Sequence, residues 1–147
     1  MNVFAVTLPM PPALSALTNN VPKRGRVKSK PYKAWQEGAS AVLRAAWRAQ
    51  GSPKFEPHLI VTYHLGLNYT GDIANREKAL TDLLVQTIPN FPDDRWIDRM
   101  EIERVPGIDG ARVLVQQAAK PTGEARPIGE IIKPIVADII SKMEDAA

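Results

Sequence analysis

Hydrophobic residues recur along this chain at two rhythms, and the switches between them predict most of its elements. Asn2 to Leu8 is rich in strand-forming residues and stops at Pro9, Pro11 and Pro12, which cannot continue a ladder, so it predicts an opening strand. His58 to Leu65 alternates, with Leu59, Val61, Tyr63 and Leu65 on one face and His58, Ile60, Thr62 and His64 on the other. Met100, Ile102 and Arg104 alternate with Arg99, Glu101, Glu103 and Val105 in a half-exposed strand. Gly107-Ile108-Asp109-Gly110 then reads as a hairpin loop into a strand over Arg112 to Gln116, which predicts an antiparallel pair.

The slower rhythm predicts helices. From Tyr32 to Ala49, Trp35, Ala39, Val42, Leu43, Ala46 and Trp47 return at spacings of three and four until Gly51-Ser52-Pro53 stops the run. From about Asn75 to Ile88 the buried stripe is Leu80, Leu83, Leu84 and Ile88, which puts Asn75, Lys78 and Asp82 on another side. Pro89 to Pro92 is a turn. A third stripe, Ile128, Ile131, Ile132, Ile135, Val136, Ile139, Ile140 and Met143, follows a linker over 118–126; Pro134 must kink that helix or sit in its first turn. Such a stripe folds back on its own domain or packs on a second subunit. Leu14 to Lys30 has no period and reads as a long loop. The expected organisation is a domain over 1–117, the linker over 118–126 and an amphipathic helix over 127–147, with an α+β fold: a small mixed sheet with helices.

Composition narrows the chemistry. The 147 residues fit one domain, which buries roughly two-thirds of the surface the unfolded chain exposes. No cysteine is present, so disulfides, zinc thiolates and thiol nucleophiles are excluded. No apolar run approaches the ~18 residues of a membrane span, and no basic segment precedes an apolar one at the N-terminus; the expectation is a cytoplasmic protein without a membrane partner.

Charge is unevenly placed. Residues 1–54 carry nine Lys or Arg against the single acid Glu37, whereas 70–105 carry five against eight acids. Lys23, Arg24, Arg26, Lys28, Lys30 and Lys33 cluster beside Tyr32 and Trp35, a composition suited to phosphates and unstacked bases; otherwise this is a solvated basic loop with Trp35 packed under a helix. The acids follow strand ends and turns: Asp72 after Thr70-Gly71, then Asp93 and Asp94 after Pro92. Carboxylates from separate elements, with few imidazoles and no thiols, suit a hard ion such as Mg²⁺, which can clamp a phosphodiester. His64 lies at a strand end and reads as structural. No phosphate-cradling loop and no Ser/His/Asp order is present.

The run Gly71-Asp72-Ile73-Ala74-Asn75, Lys78-Ala79-Leu80, Asp82 and Leu84, followed by Asp93-Asp94 and an Ile/Val-rich strand, resembles the RusA-type Holliday junction resolvases. Leu8-Pro9-Met10-Pro11-Pro12 and Lys30, Tyr32 and Trp35 at the start of the first helix extend the resemblance over about residues 2 to 117. It implies a homodimeric endodeoxyribonuclease that uses Mg²⁺, with Mn²⁺ as a substitute, to nick two opposed strands of a four-way DNA junction, in a bacterial or phage setting. By position, Asp72 and Asp94 look like metal ligands with Asp93 beside them, Lys78 like a cation facing the transition state, and Asn75 like a positioning residue. Arg76 joins the basic loop among the expected DNA contacts.

One position departs from the family pattern. Ala74 stands where the family carries its second Asp. An engineered substitution that traps DNA uncut, a naturally inactive member, or a site that recruits Asp98 or Glu101 instead would each account for it. The other readings are a branched-DNA-binding protein without chemistry and a small adaptor whose isoleucine tail binds a partner.

Overall fold

A computed structural model describes residues 2–67, 71–89, 91, 93–120 and 128–146, the side chains of 128–132 excepted. Thr70 and Pro92 of the expected turns, and most of the expected linker, lie outside these residues. The elements are β1 (Val3–Leu8), β2 (Thr18–Val21), β3 (Gly25–Lys28), α1 (Lys30–Ala49), β4 (Leu59–Leu65), α2 (Ala74–Thr87), β5 (Ile97–Arg104), β6 (Ala111–Gln117) and α3 (Ile128–Asp145), with short 3-10 turns at Leu14–Ala16 and Asp94–Trp96. Among the described residues this is an α+β fold: a mixed four-stranded sheet, a separate two-stranded sheet of β2 and β3, and three helices. No helix among the described residues is long and apolar enough to cross a membrane.

The main sheet runs β1-β6-β4-β5. Alternation along β1 and β4 puts Phe4, Val6 and Leu8 beside Leu59, Val61, Tyr63 and Leu65 on one face, all buried. Against that face α1 lays Tyr32, Trp35, Ala39 and Leu43, and α2 lays Ala79, Leu80, Leu83 and Leu84, so that one core holds the helices to one side of the sheet. Burying side chains such as Phe4 or Leu43 stabilises the fold by about 1.5–3 kcal/mol each. The opposite face carries Ala5, Ile60, Thr62 and Leu114 half-buried or exposed, and no described element covers it.

α1 begins at a cap that the sequence carries openly. Ser29 Oγ accepts the Tyr32 N–H at 3.2 Å and donates to the Ala16 carbonyl at 2.6 Å, and Pro31 occupies the first turn, where its missing N–H costs nothing. Trp35 is core: its ring lies buried beside Tyr32 and its indole N–H donates to the Pro9 carbonyl at 2.9 Å.

Two expectations are corrected. The stretch from Leu14 to Lys30 holds the β2–β3 hairpin, which turns through Pro22, Lys23 and Arg24 with Lys23 in the left-handed region (φ 63°). The strands β5 and β6 do not pair; β4 lies between them, parallel to β5 and antiparallel to β6. The physical reason is the α2 crossover, which returns the chain to the edge where β4 began. The β5–β6 connection therefore passes over the end of β4, where Gly66 donates to the Gly110 carbonyl at 2.9 Å and Val105 to the Leu65 carbonyl at 2.9 Å. A Cβ on Gly66 would collide with the Ile108 carbonyl oxygen, so the crossing needs glycine there.

Candidate active site and basic face

Asp72 lies beyond the C-terminal end of β4 and opens α2. Its Oδ1 accepts the Ala74 N–H at 3.0 Å, so an exposed carboxylate meets the positive end of the helix. Arg104, at the far end of β5, donates to the Gly71 carbonyl and ties this turn to the sheet. Asn75 is half-buried on the first turn. One turn on, Lys78 Nζ pairs with Asp82 at 3.1 Å, and that hydrogen bond holds its ammonium above the usual range. The motif thus stands in a strand–turn–helix setting, with Lys78 engaged along the helix.

Asp93 and Asp94 stand at the other end of the sheet. Because β5 runs parallel to β4, with Leu59 opposite Ile97 and Leu65 opposite Arg104, the start of β5 lies beside the start of β4. Asp72 follows the end of β4. Asp72 and Asp94 thus stand at opposite ends of α2, a helix of fourteen residues or about 20 Å.

The remaining carboxylates at the second corner are already engaged. Asp93 caps the Asp94–Trp96 turn: Oδ1 accepts the Arg95 N–H at 2.8 Å, and Oδ2 receives the Arg95 guanidinium from Nε at 2.8 Å and Nη2 at 2.6 Å. This hydrogen bonding from Arg95 holds its carboxyl well below the usual range. Asp98 pairs with His58 Nδ1 at 2.8 Å, and Glu101 with Arg99 at 2.7 Å. Both lie on β5 and are held there in these pairs. His64 faces Glu103 at 3.6 Å on the sheet's open side. Among the described residues no group of three or more His, Cys, Asp or Glu could hold a metal. Among the described residues, the donors of a single chain do not gather into a Mg²⁺ or Mn²⁺ site.

The cations are better assembled. Lys23, Arg24, Arg26 and Lys28 line the exposed hairpin, and Lys30 and Lys33 stand exposed on the first turn of α1. Lys28 joins the two: its Nζ donates to Gln36 Oε1 at 3.3 Å and lies 5.7 Å from the centre of the Tyr32 ring. Tyr32 also feels Asp82 and Lys78, which places the basic face beside the outer side of α2; burial first, and Asp82 second, push its hydroxyl's pKa up. Arg76 is different. Its Nη1 donates to the Pro11 carbonyl and its Nε is buried without a partner, so it braces α2 to the segment after β1 instead of facing outward.

Sequence reasoning missed one buried polar chain. The Tyr63 hydroxyl meets Thr81 Oγ1 at 2.8 Å, and Thr81 donates to Glu77. The spacing of Glu77 and Thr81, four residues apart on α2, carries that signal; their link to Tyr63 needed the sheet. No family model matches the chain, and no curated protein matches it.

Proposed function

We propose that the chain is a structure-selective DNA-binding protein of the RusA endonuclease type, directed at four-way junctions, whose cleavage is impaired by Ala74. The observation that carries the DNA reading is the joined basic face: six cations on a hairpin and a helix start, linked through Lys28, Gln36 and Tyr32. An exposed β-hairpin presents phosphate-binding charges along its turn and β3, while the neighbouring helix start fixes their spacing. Each phosphate neutralised releases condensed counterions, so binding would weaken steeply with salt.

The nuclease reading rests on the resemblance and on Asp72, Asn75 and Lys78 standing together at the start of α2. Among the described residues of one chain no group of three or more His, Cys, Asp or Glu completes a metal site. Joint coordination by Asp72 and Asp94 would take two copies, in keeping with a two-fold protein that meets two equivalent strands of a junction. Without the missing aspartate, the functional consequence is retention of DNA in preference to cutting.

The second reading is a branched-DNA-binding protein without chemistry, favoured by the engagement of Asp93, Asp98 and Glu101 in ion pairs. Both readings require junction preference. The test is retention of a labelled four-way junction against a linear duplex of the same sequence, in EDTA, over a salt series. Tighter junction binding that falls with salt is expected; no binding at low salt, or equal binding to both, would overturn the proposal.

A further inference from the structure

Phosphate contacts place a protein on DNA but carry little selectivity of their own. The cations of the hairpin and the start of α1 therefore account for affinity and leave a choice of junction over duplex unexplained. A branch point differs from a duplex in its partly unstacked bases. The aromatic side chains beside the basic cluster are not free to receive them, since Tyr32 and Trp35 lie buried in the core.

The register of the hairpin brings other groups together. Thr18 stands opposite Lys28 and Asn20 opposite Arg26, so these four share one face of the two-stranded ribbon. Lys28 is the member of that face which reaches Gln36 and the Tyr32 ring. A concavity of about 410 Å³ is lined by Thr18, Asn20 and Arg26 of this face and by Leu14 and Ser15 of the neighbouring 3-10 turn. Clefts that hold small ligands run from roughly 300 to 1,000 Å³. Leu14 offers apolar surface there, 46% exposed, and the Asn20 amide makes no hydrogen bond with any described residue.

We propose, resting on the DNA reading above, that this concavity takes one unstacked base of a DNA branch point. Leu14 lies against the ring, the Asn20 amide pairs with the base's hydrogen-bonding edge, and the Arg26 guanidinium holds the adjoining phosphate. A side-chain amide carries two donors and an acceptor, which matches the paired donor and acceptor on a base edge. Bases held outside the stack are read in this way, by edge hydrogen bonds and by apolar contact with the ring. Drawing a base out of an intact duplex costs unstacking and unpairing energy, and the cost is least for a base that is already unpaired. The concavity thus favours a branch point over a linear duplex, which the phosphate contacts do not. Arg26 belongs to both surfaces, so a strand gripped by the basic face is led to the concavity.

The experiment uses the full-length chain and Leu14→Ala/Asn20→Ala, both checked for folding by circular dichroism, in EDTA. Each is titrated with a four-way junction and with a linear duplex of the same sequence. The junction carries at its branch point a fluorescent adenine analogue whose emission rises when the base leaves the stack. With the unsubstituted chain, the emission is expected to rise on binding. The substituted chain is expected to lose about tenfold of the junction-over-duplex affinity ratio, together with the emission rise, and to keep its duplex affinity. A junction preference without an emission rise in the unsubstituted chain would overturn the inference and leave the DNA reading standing. So would a substituted chain that keeps its preference, or one that loses junction and duplex binding equally. If the unsubstituted chain binds neither DNA, or both alike, the DNA reading falls and the inference falls with it.

Discussion

The hydroxyl of Tyr63 on the central strand lies 2.8 Å from the hydroxyl of Thr81 on α2, with both side chains buried. It is a polar bond inside the layer that joins sheet to helix. Burial dominates the Tyr63 environment and pushes its pKa far above the ordinary tyrosine value. The folded state therefore binds this proton more tightly than the unfolded state does. Its contribution to stability is fully present below the unfolded pKa of about 10 and is lost as pH rises beyond it. Tyr63→Phe is expected to cost about 1 kcal/mol at neutral pH and to flatten the alkaline limb of the stability curve. Denaturant unfolding between pH 8 and 11 reads both; an unchanged alkaline limb would refute the assignment.

Asp93 has the opposite sign. Hydrogen bonds from Arg95 depress its pKa, so its contribution is present above the unfolded value of about 3.9 and is lost as pH falls below it. Arg95→Ala is expected to lower stability slightly near pH 7, where the pair contributes, and to flatten its fall below about pH 3.9, the effect being small because the Arg95 guanidinium is exposed to solvent. Denaturant unfolding followed by circular dichroism from pH 7 to 2 checks this, and coincident stability curves would contradict it.

Glycine substitutions should separate along the same backbone. Gly38 lies inside α1 with open space around it, so Gly38→Ala is expected to stabilise by about 0.5–1 kcal/mol. Gly66 passes beneath the β5–β6 connection, and Gly66→Ala is expected to cost about 2 kcal/mol or more. Thermal melts of the two variants would have to shift in opposite directions; equal shifts would mean that the crossing over β4 is not as described.

Elements with one buried face are legible in the sequence. The stripes of α1 and α2 and the alternation of β1 and β4 stand out because each meets the core on one side only. The β2–β3 hairpin is not legible, since most of its residues, from Thr18 to Asn20 and at Gly25, Arg26 and Lys28, are exposed and no apolar alternation marks it. Pairing fails for another reason. Val105 to Gly110 has the length of a hairpin loop, and only the insertion of β4 between β5 and β6 shows that it is a crossover. The same parallel β4–β5 relation separates Asp72 from Asp94. That separation follows from strand–helix–strand geometry, and the closeness of the two acids in sequence conceals it.

On the basic hairpin, Arg24→Ala/Arg26→Ala is expected to weaken junction binding several-fold at moderate salt. The slope of log affinity against log salt is expected to fall by about 0.9 for each phosphate that is no longer neutralised. Folding should be unaffected, as both side chains are exposed. Anisotropy titrations over a series of salt concentrations measure the slope. A weaker affinity with an unchanged slope would mean that these residues act through hairpin structure and not through phosphate.

Ala74 carries the sharpest prediction. It is exposed, it is the first residue of α2, and its N–H already serves the Asp72 carboxylate. A second carboxylate there would add to the favourable field at the helix N-terminus, so Ala74→Asp is expected to leave thermal stability unchanged or raise it by about 0.3–1 kcal/mol, less any repulsion from Asp72. The same change supplies the oxygen donor that the resemblance places two residues after Asp72. On the endonuclease reading, Ala74→Asp raises symmetric nicking of a four-way junction in Mg²⁺ by at least about tenfold over the unsubstituted chain, and EDTA abolishes it. If the substituted protein folds, binds the junction as tightly as before and still leaves both strands intact, the catalytic roles of Asp72, Asn75, Lys78 and Asp94 fall, and a junction-binding protein without chemistry remains.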